Sequence, residues 1–122
     1  MPPRNRNMKP AGKKQKGSEF ERAIAKDIAE FLDPNARRMV LSGSVFGLET
    51  DIWTKLKFAF ELKRHEKIKL YEFWNQTTLQ AICGKTPVLV VKSNNRPALA
   101  VMDWQDWIQL TRFALMAKWP DG

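Results

Sequence analysis

Between Phe58 and Lys63 the chain alternates: Phe58, Phe60 and Leu62 are apolar, and Ala59, Glu61 and Lys63 fill the positions between them. Successive side chains of a strand point to opposite faces, so this segment reads as a strand with one aromatic face and one face carrying Glu61 and Lys63. Upstream, Phe20, Ile24, Ile28, Phe31 and Leu32 recur at helical spacing. Ser18 and Glu21 form a capping-box pattern that predicts a helix from Ser18 to about Leu32, and "DPN" stops it. A strand is predicted around Ala36 to Leu41, then a Ser/Gly loop, "SGSVFGLE", and a strand from about Thr50 to Thr54. The "KLK" that follows reads as a short turn joining this strand to the one beginning at Phe58. A second helix is predicted over about Glu66 to Ile82, with Leu70, Phe73, Trp74, Thr77 and Ala81 at helical spacing and Gly84 as its stop. "TPVLVVK" is the continuous apolar run of a strand covered on both faces. "SNNRP" turns the chain into "ALAVM", and Asp103 caps a last helix carrying Trp104, Trp107, Ile108, Thr111 and Leu115. The predicted order is helix, three strands, helix, two strands, helix.

A chain of 122 residues with 43% hydrophobic content supports one small core and no second domain. No apolar run reaches the ~20 residues of a membrane helix and no secretory signal is apparent, so a soluble, intracellular, cytoplasmic protein without a membrane partner is expected. Cys83 can form no internal disulfide or cysteine-based zinc site by itself, and it reads as a buried small hydrophobe. The net charge is +8, and six of those charges fall in residues 1–17, where Arg4, Arg6, Lys9, Lys13, Lys14 and Lys16 have no acid among them. Residues 1–17 are therefore expected to be a disordered basic arm that attracts phosphates without reading sequence, followed by a single domain over residues 18–122.

The candidate chemistry lies in the acids. If the strands on either side of Lys55 to Lys57 pair so that Thr54 faces Phe58, Asp51 falls opposite Glu61. Directly opposed like charges destabilise a sheet. Either the pair is well solvated, or the register differs, or a divalent cation sits between them, since Mg²⁺ is held by one or two carboxylates plus substrate phosphate. Lys63 shares that face. On the first helix, at about 100° per residue, Glu21 falls about 50° from the centre of the apolar stripe and Glu19 about 150° away. Glu21 therefore leans toward the sheet, as the acid of the capping box, as a member of the site, or as both at once.

The ordered set "KGSEFER", "SGS", "TDIW" and "FELK" resembles the PD-(D/E)xK nuclease superfamily and, within it, the archaeal-type Holliday junction resolvases. The resemblance covers roughly Lys16 to Lys92 and implies an α/β, restriction-endonuclease-like core, a mixed central sheet flanked by helices. It makes Glu21 the helix-one acid, Asp51 the motif aspartate, and Glu61 and Lys63 the ExK pair, while Thr50 stands where many members have proline. It implies Mg²⁺, with Mn²⁺ as a substitute, held by Asp51, Glu61 and the Leu62 carbonyl, with Glu21 completing the site or helping a second ion. Lys63 would orient the attacking water or stabilise the transition state. Ser42 or Ser44 matches the loop serine of these resolvases, Arg38 and Arg64 join the arm as candidate DNA contacts, and Gln76 and Gln80 stand where related nucleases place a glutamine. The implied function is a structure-selective DNA endonuclease, a junction resolvase acting as a homodimer on branched DNA and leaving 5′-phosphate and 3′-hydroxyl ends. The alternatives are another nuclease of the superfamily, cutting flaps, forks or single strands, and a non-catalytic basic DNA-binding module. His65, the only histidine, reads as a surface or DNA-contact residue, and the five tryptophans as core or a dimer face.

Overall fold

The computed structural model describes residues 5–39, 51–81 and 84–118. Its elements are α1 (Asn5–Phe31), β1 (Arg37–Arg38), β2 (Ile52–Trp53), β3 (Phe58–Arg64), α2 (Leu70–Gln80), β4 (Thr86–Lys92), β5 (Leu99–Val101) and α3 (Trp104–Met116). The order is the one the hydrophobic pattern predicts, and the architecture is the expected mixed α/β core. Among the described residues no helix is long and apolar enough to cross a membrane.

The first helix starts well before Ser18. Its backbone is helical from Asn5, so part of the basic arm and the start of the domain share one helix. Gly17 costs about 1 kcal/mol inside a helix, but extending an existing helix through Lys, Gln and Ala avoids a second nucleation. Ser18 consequently lies inside α1 and forms no capping box; its hydroxyl accepts from Arg38 Nη2 at 3.3 Å. At the other end Asp33 closes the helix, as "DPN" implied.

The strands form two sheets, an antiparallel β1–β2 pair and a three-stranded sheet in the order β3–β4–β5. β3 and β4 run parallel, with Phe58 beside Thr86 and Arg64 beside Lys92, and β5 returns antiparallel to β4. A parallel pair needs a crossover, which α2 supplies. β4 lies between the other two strands, and Leu89 at its middle is fully buried, as its unbroken apolar run predicts.

Strand parity divides the core. Phe60, Leu62, Val88 and Val90 face α1, packing with Phe20, Ala25, Ile28 and Ile52. Leu89 and Val91 face α2, packing with Phe73, Ile68, Trp74 and Val101. The predicted β2–β3 hairpin is reduced to its open end, where the Asp51 N–H donates to the Phe60 carbonyl at 3.1 Å. The "KLK" turn is held instead by Thr54, whose hydroxyl accepts from the Leu56 N–H at 3.1 Å.

The second helix begins four residues later than predicted, because the preceding segment extends the β3 edge. The His65 N–H donates to the Lys92 carbonyl, and Glu66 accepts from the Asn94 N–H at 3.0 Å. Asp103 does cap α3, accepting from the Gln105 and Asp106 N–H groups. No residue of α3 is buried, and Trp104 and Trp107 stack with centroids 5.2 Å apart on an exposed face. Of the tryptophans expected in a core or at an interface, Trp74 of α2 is half-buried against the cluster of Phe73, Leu89 and Val91, and Trp53 lies under the Arg37 guanidinium at 4.8 Å.

Candidate active site

Asp51 joins the two sheets. Its carbonyl accepts from the Met39 N–H beyond β1, its N–H donates to Phe60, and its Oδ2 accepts from the Leu62 N–H at 2.8 Å. These two bonds to β3 straddle Glu61, so the Asp51 carboxyl is placed beside the Glu61 side chain, the neighbour predicted from strand pairing. Glu61 is 6% exposed. Burial pushes its carboxyl up to about 9, and the adjacent Asp51 carboxyl adds to the rise by a hydrogen bond and by charge. The Lys63 ammonium, two residues on along the same face, acts in the opposite direction. A carboxylic acid is thus kept protonated at neutral pH where two carboxylates converge.

Glu21 stands apart from this pair. Its Oε1 accepts from Arg38 Nε at 2.7 Å, both side chains being about a third exposed. Helix phase correctly turned Glu21 toward the strands. Yet α1 packs on the face formed by Phe60 and Leu62, whereas Glu61 and Lys63 project from the other one, so Glu21 meets β1 and does not join the carboxylates. Arg38, a candidate DNA contact, is occupied by Glu21 and Ser18. Arg64, another, is only 14% exposed and is bound to Asn94 Oδ1 and, at 3.4 Å, to Glu66. It fastens the end of β3 to the turn after β4, and it lines a cavity of about 370 Å³ with Lys16, Glu19, Phe20 and Asp27 of α1 and Lys92 of β4. Arg6, Lys9, Lys13 and Lys14 lie along the α1 backbone. Arg4, Ser42, Ser44, Thr50 and Cys83 fall outside the described residues.

Beyond Glu61 the same face turns basic. Lys63 lies over the Phe73 ring at 5.5 Å, and the His65 ring packs on Phe73 with centroids 4.9 Å apart. These two, with Lys67, Lys69, Glu72 and Gln76, enclose a cavity of about 330 Å³. Gln76 therefore does belong to the neighbourhood of Lys63. Gln80, one turn further along α2, has a buried Oε1 with no partner among the described residues. Lys67 and Lys69 escaped the sequence reading because they were absorbed into the start of a helix. Their placement four and six residues after Lys63, in the same period of two, was the available signal.

Another acid was missed. Asp33 is fully buried and accepts from Thr54 Oγ1 at 2.6 Å, Lys55 N at 3.0 Å and Asn35 N at 3.0 Å. It ties the end of α1 to the turn before β3, a structural task.

Among the described residues no three His, Cys, Asp or Glu side chains gather around one point. Two convergent carboxylates and no sulfur or imidazole ligand do not make a tetrahedral zinc site. They suit a hard cation such as Mg²⁺, which keeps several waters and completes its shell with substrate phosphate oxygens. The donor set thus fits the metal implied by the motif.

Comparison with known proteins supports the superfamily to which the motifs point. No curated protein and no solved structure matches the chain. A family model described as "Phage putative PDDEXK endonuclease" matches residues 12–118, a span that takes in Asp51, Glu61, Lys63, most of α1 and every later element through α3. The chain belongs to this PD-(D/E)xK endonuclease family.

Proposed function

We propose that this protein is a metal-dependent, structure-selective DNA endonuclease, and that its substrate is a four-way junction cut by paired nicks. The observation that carries the chemistry is the buried Glu61 carboxyl beside Asp51, on the same strand face as Lys63. Asp51 and Glu61, with the Leu62 carbonyl, are the residues to hold Mg²⁺ or Mn²⁺. When bound there, such an ion supplies a water of lowered pKa and neutralises charge on the phosphate.

The chain's own contribution is positioning. The Leu62 N–H fixes the Asp51 carboxylate, burial fixes Glu61, and the Lys63 ammonium, braced over Phe73, is aimed at charge developing on the phosphoryl oxygens. Glu21 is left out of this assignment because Arg38 holds it on the α1 side. Junction specificity is supported by the resemblance of the ordered motifs to the resolvases and by the small size of the domain, which favours reading DNA by shape and backbone. Two symmetric nicks call for two matched sites, hence a homodimer.

The test is to incubate the purified full-length protein with labelled four-way junction, fork and linear duplex, with Mg²⁺ and with chelator. Symmetric nicks in the junction, only with metal, are expected. Preferential cutting of forks would move the substrate assignment to another branch of the superfamily. Undiminished binding without any cleavage would make the protein a binding module.

A further inference from the structure

The positions that share a face with Glu61 continue as Lys63, His65, Lys67 and Lys69, one at every second residue. A strand ends formally at Arg64, yet all four side chains still line the same cavity of about 330 Å³, with Phe73 and Gln76 of α2 on its far side. Three lysines meet a single acid there, Glu72. The ion pairs among the described residues are Arg38 with Glu21 and Arg64 with Glu66, so none involves these lysines. Glu66, which could have neutralised them, is turned away to the Asn94 N–H and Arg64.

The cavity therefore concentrates uncompensated positive charge in a concave space. α2 also opens here, with Lys69 as its N-cap and no side-chain cap, so the N–H groups of its first turn are unprotected at the same place. Phe73 gives the pocket a rigid floor, since both Lys63 and His65 rest on its ring. Such a site suits an anion with several acceptor oxygens.

Lys63 belongs to both this cavity and the carboxylate pair, which locates the anion. We propose that the cavity binds backbone phosphate of the DNA strand immediately next to the phosphate at Asp51 and Glu61, with Lys67, Lys69 and His65 as its contacts. This assignment rests on the nuclease reading for the identity of the polymer. The cavity thereby sets which phosphodiester is presented to the carboxylates, and it grips the strand through its backbone alone.

The experiment measures binding of a labelled duplex to the full-length protein in chelator across a salt series, alongside cleavage in Mg²⁺. Lys67→Ala/Lys69→Ala should flatten the log–log salt slope by about 0.9 to 1.8, one increment for each phosphate no longer neutralised, and weaken binding several-fold. Lys26→Ala/Lys118→Ala removes the same charge from exposed positions on α1 and beyond α3, and should change the slope far less. Lys67→Arg/Lys69→Arg should restore it. An equal loss in the two alanine pairs would reduce the cavity to net charge and overturn the proposal. So would an unchanged slope in Lys67→Ala/Lys69→Ala. If the wild-type protein fails to cut but the cavity pair alone loses slope, the nuclease reading falls and the phosphate site stands. If the wild type cuts while the slope ignores the cavity pair, the reverse holds.

Discussion

Asp33 and Glu61 are both buried carboxyls, and the fold treats them in opposite ways. Asp33 meets donors at each oxygen. The Thr54 hydroxyl above all, then the Lys55 and Asn35 N–H groups, hold it below the ordinary carboxylate value although burial acts the other way. Glu61 meets another carboxyl, and burial together with Asp51 drives it up to about 9. Burial alone is therefore a poor guide to what an acid does. A carboxylate surrounded by donors is a finished part of the structure, whereas one buried against a second carboxylate is an arrangement that suits a cation.

The largest expected effect separates the two acids by activity. Asp51→Asn and Glu61→Gln should take single-turnover cleavage below detection while junction binding is kept or slightly tightened, because less negative charge faces the phosphate. Lys63→Ala should lose about 10²–10³ in rate, the range for removing one preorganised charge-stabilising donor. Asp33→Asn, assayed below its melting temperature, should still cut at a rate near that of the wild type. Wild-type rates in Glu61→Gln, or an inactive but folded Asp33→Asn, would erase the distinction drawn between the two sites.

How far this was legible in the sequence follows the range of the interactions involved. Strand alternation is local, so the common face of Glu61 and Lys63 could be read directly, and the short connection after Thr54 was enough to bring Asp51 to Glu61. The cap at Asp103 is equally local. Glu21 shows the limit: helix phase says which side of α1 it occupies, but whether it meets Arg38 or the carboxylates depends on which sheet face α1 covers. Asp33 was visible only as a helix stop, because its Thr54 partner is 21 residues away. The parallel β3–β4 ladder is likewise nonlocal. The start of α1 was misplaced for a different reason, since Gly17 and a serine before a glutamate mimic a terminus that helix continuation overrides.

A smaller but measurable effect is the pH dependence of stability in the absence of metal. Asp33 has a lowered folded pKa, so its contribution is present above the unfolded value of 3.8 and is lost as pH falls through and below it. Glu61 has the opposite sign. Its folded pKa exceeds the unfolded 4.5, so its contribution is fully present below 4.5 and is lost as pH rises toward about 9. Melting temperature measured against pH in chelator should therefore fall on both limbs. Glu61→Gln should flatten the alkaline limb and exceed the wild type by several degrees at about pH 8. Asp33→Asn should lower melting temperatures near neutrality and flatten the acid limb. Identical alkaline limbs in wild type and Glu61→Gln would mean that Glu61 is not a buried acid awaiting a charge.

The subtlest consequence concerns the proton itself. To bind a cation Glu61 must ionise, and with a pKa raised to about 9 it is almost wholly protonated at neutral pH. Cation binding at about pH 7 should therefore release close to one proton per site, and the release should vanish by about pH 10, where Glu61 is already ionised. Affinity should rise about tenfold per pH unit between the two and then level off. Calorimetric titration of Mg²⁺ in two buffers of different ionisation enthalpy measures the release directly, and Glu61→Gln should abolish it. Asp33→Asn should leave it intact, because that carboxylate has no proton to give at neutral pH. A wild-type protein that binds Mg²⁺ at about pH 7 with no release would show Glu61 to be ionised before the metal arrives. Lys63 would then already neutralise it, and Glu61 would be as complete a hydrogen-bonded site as Asp33.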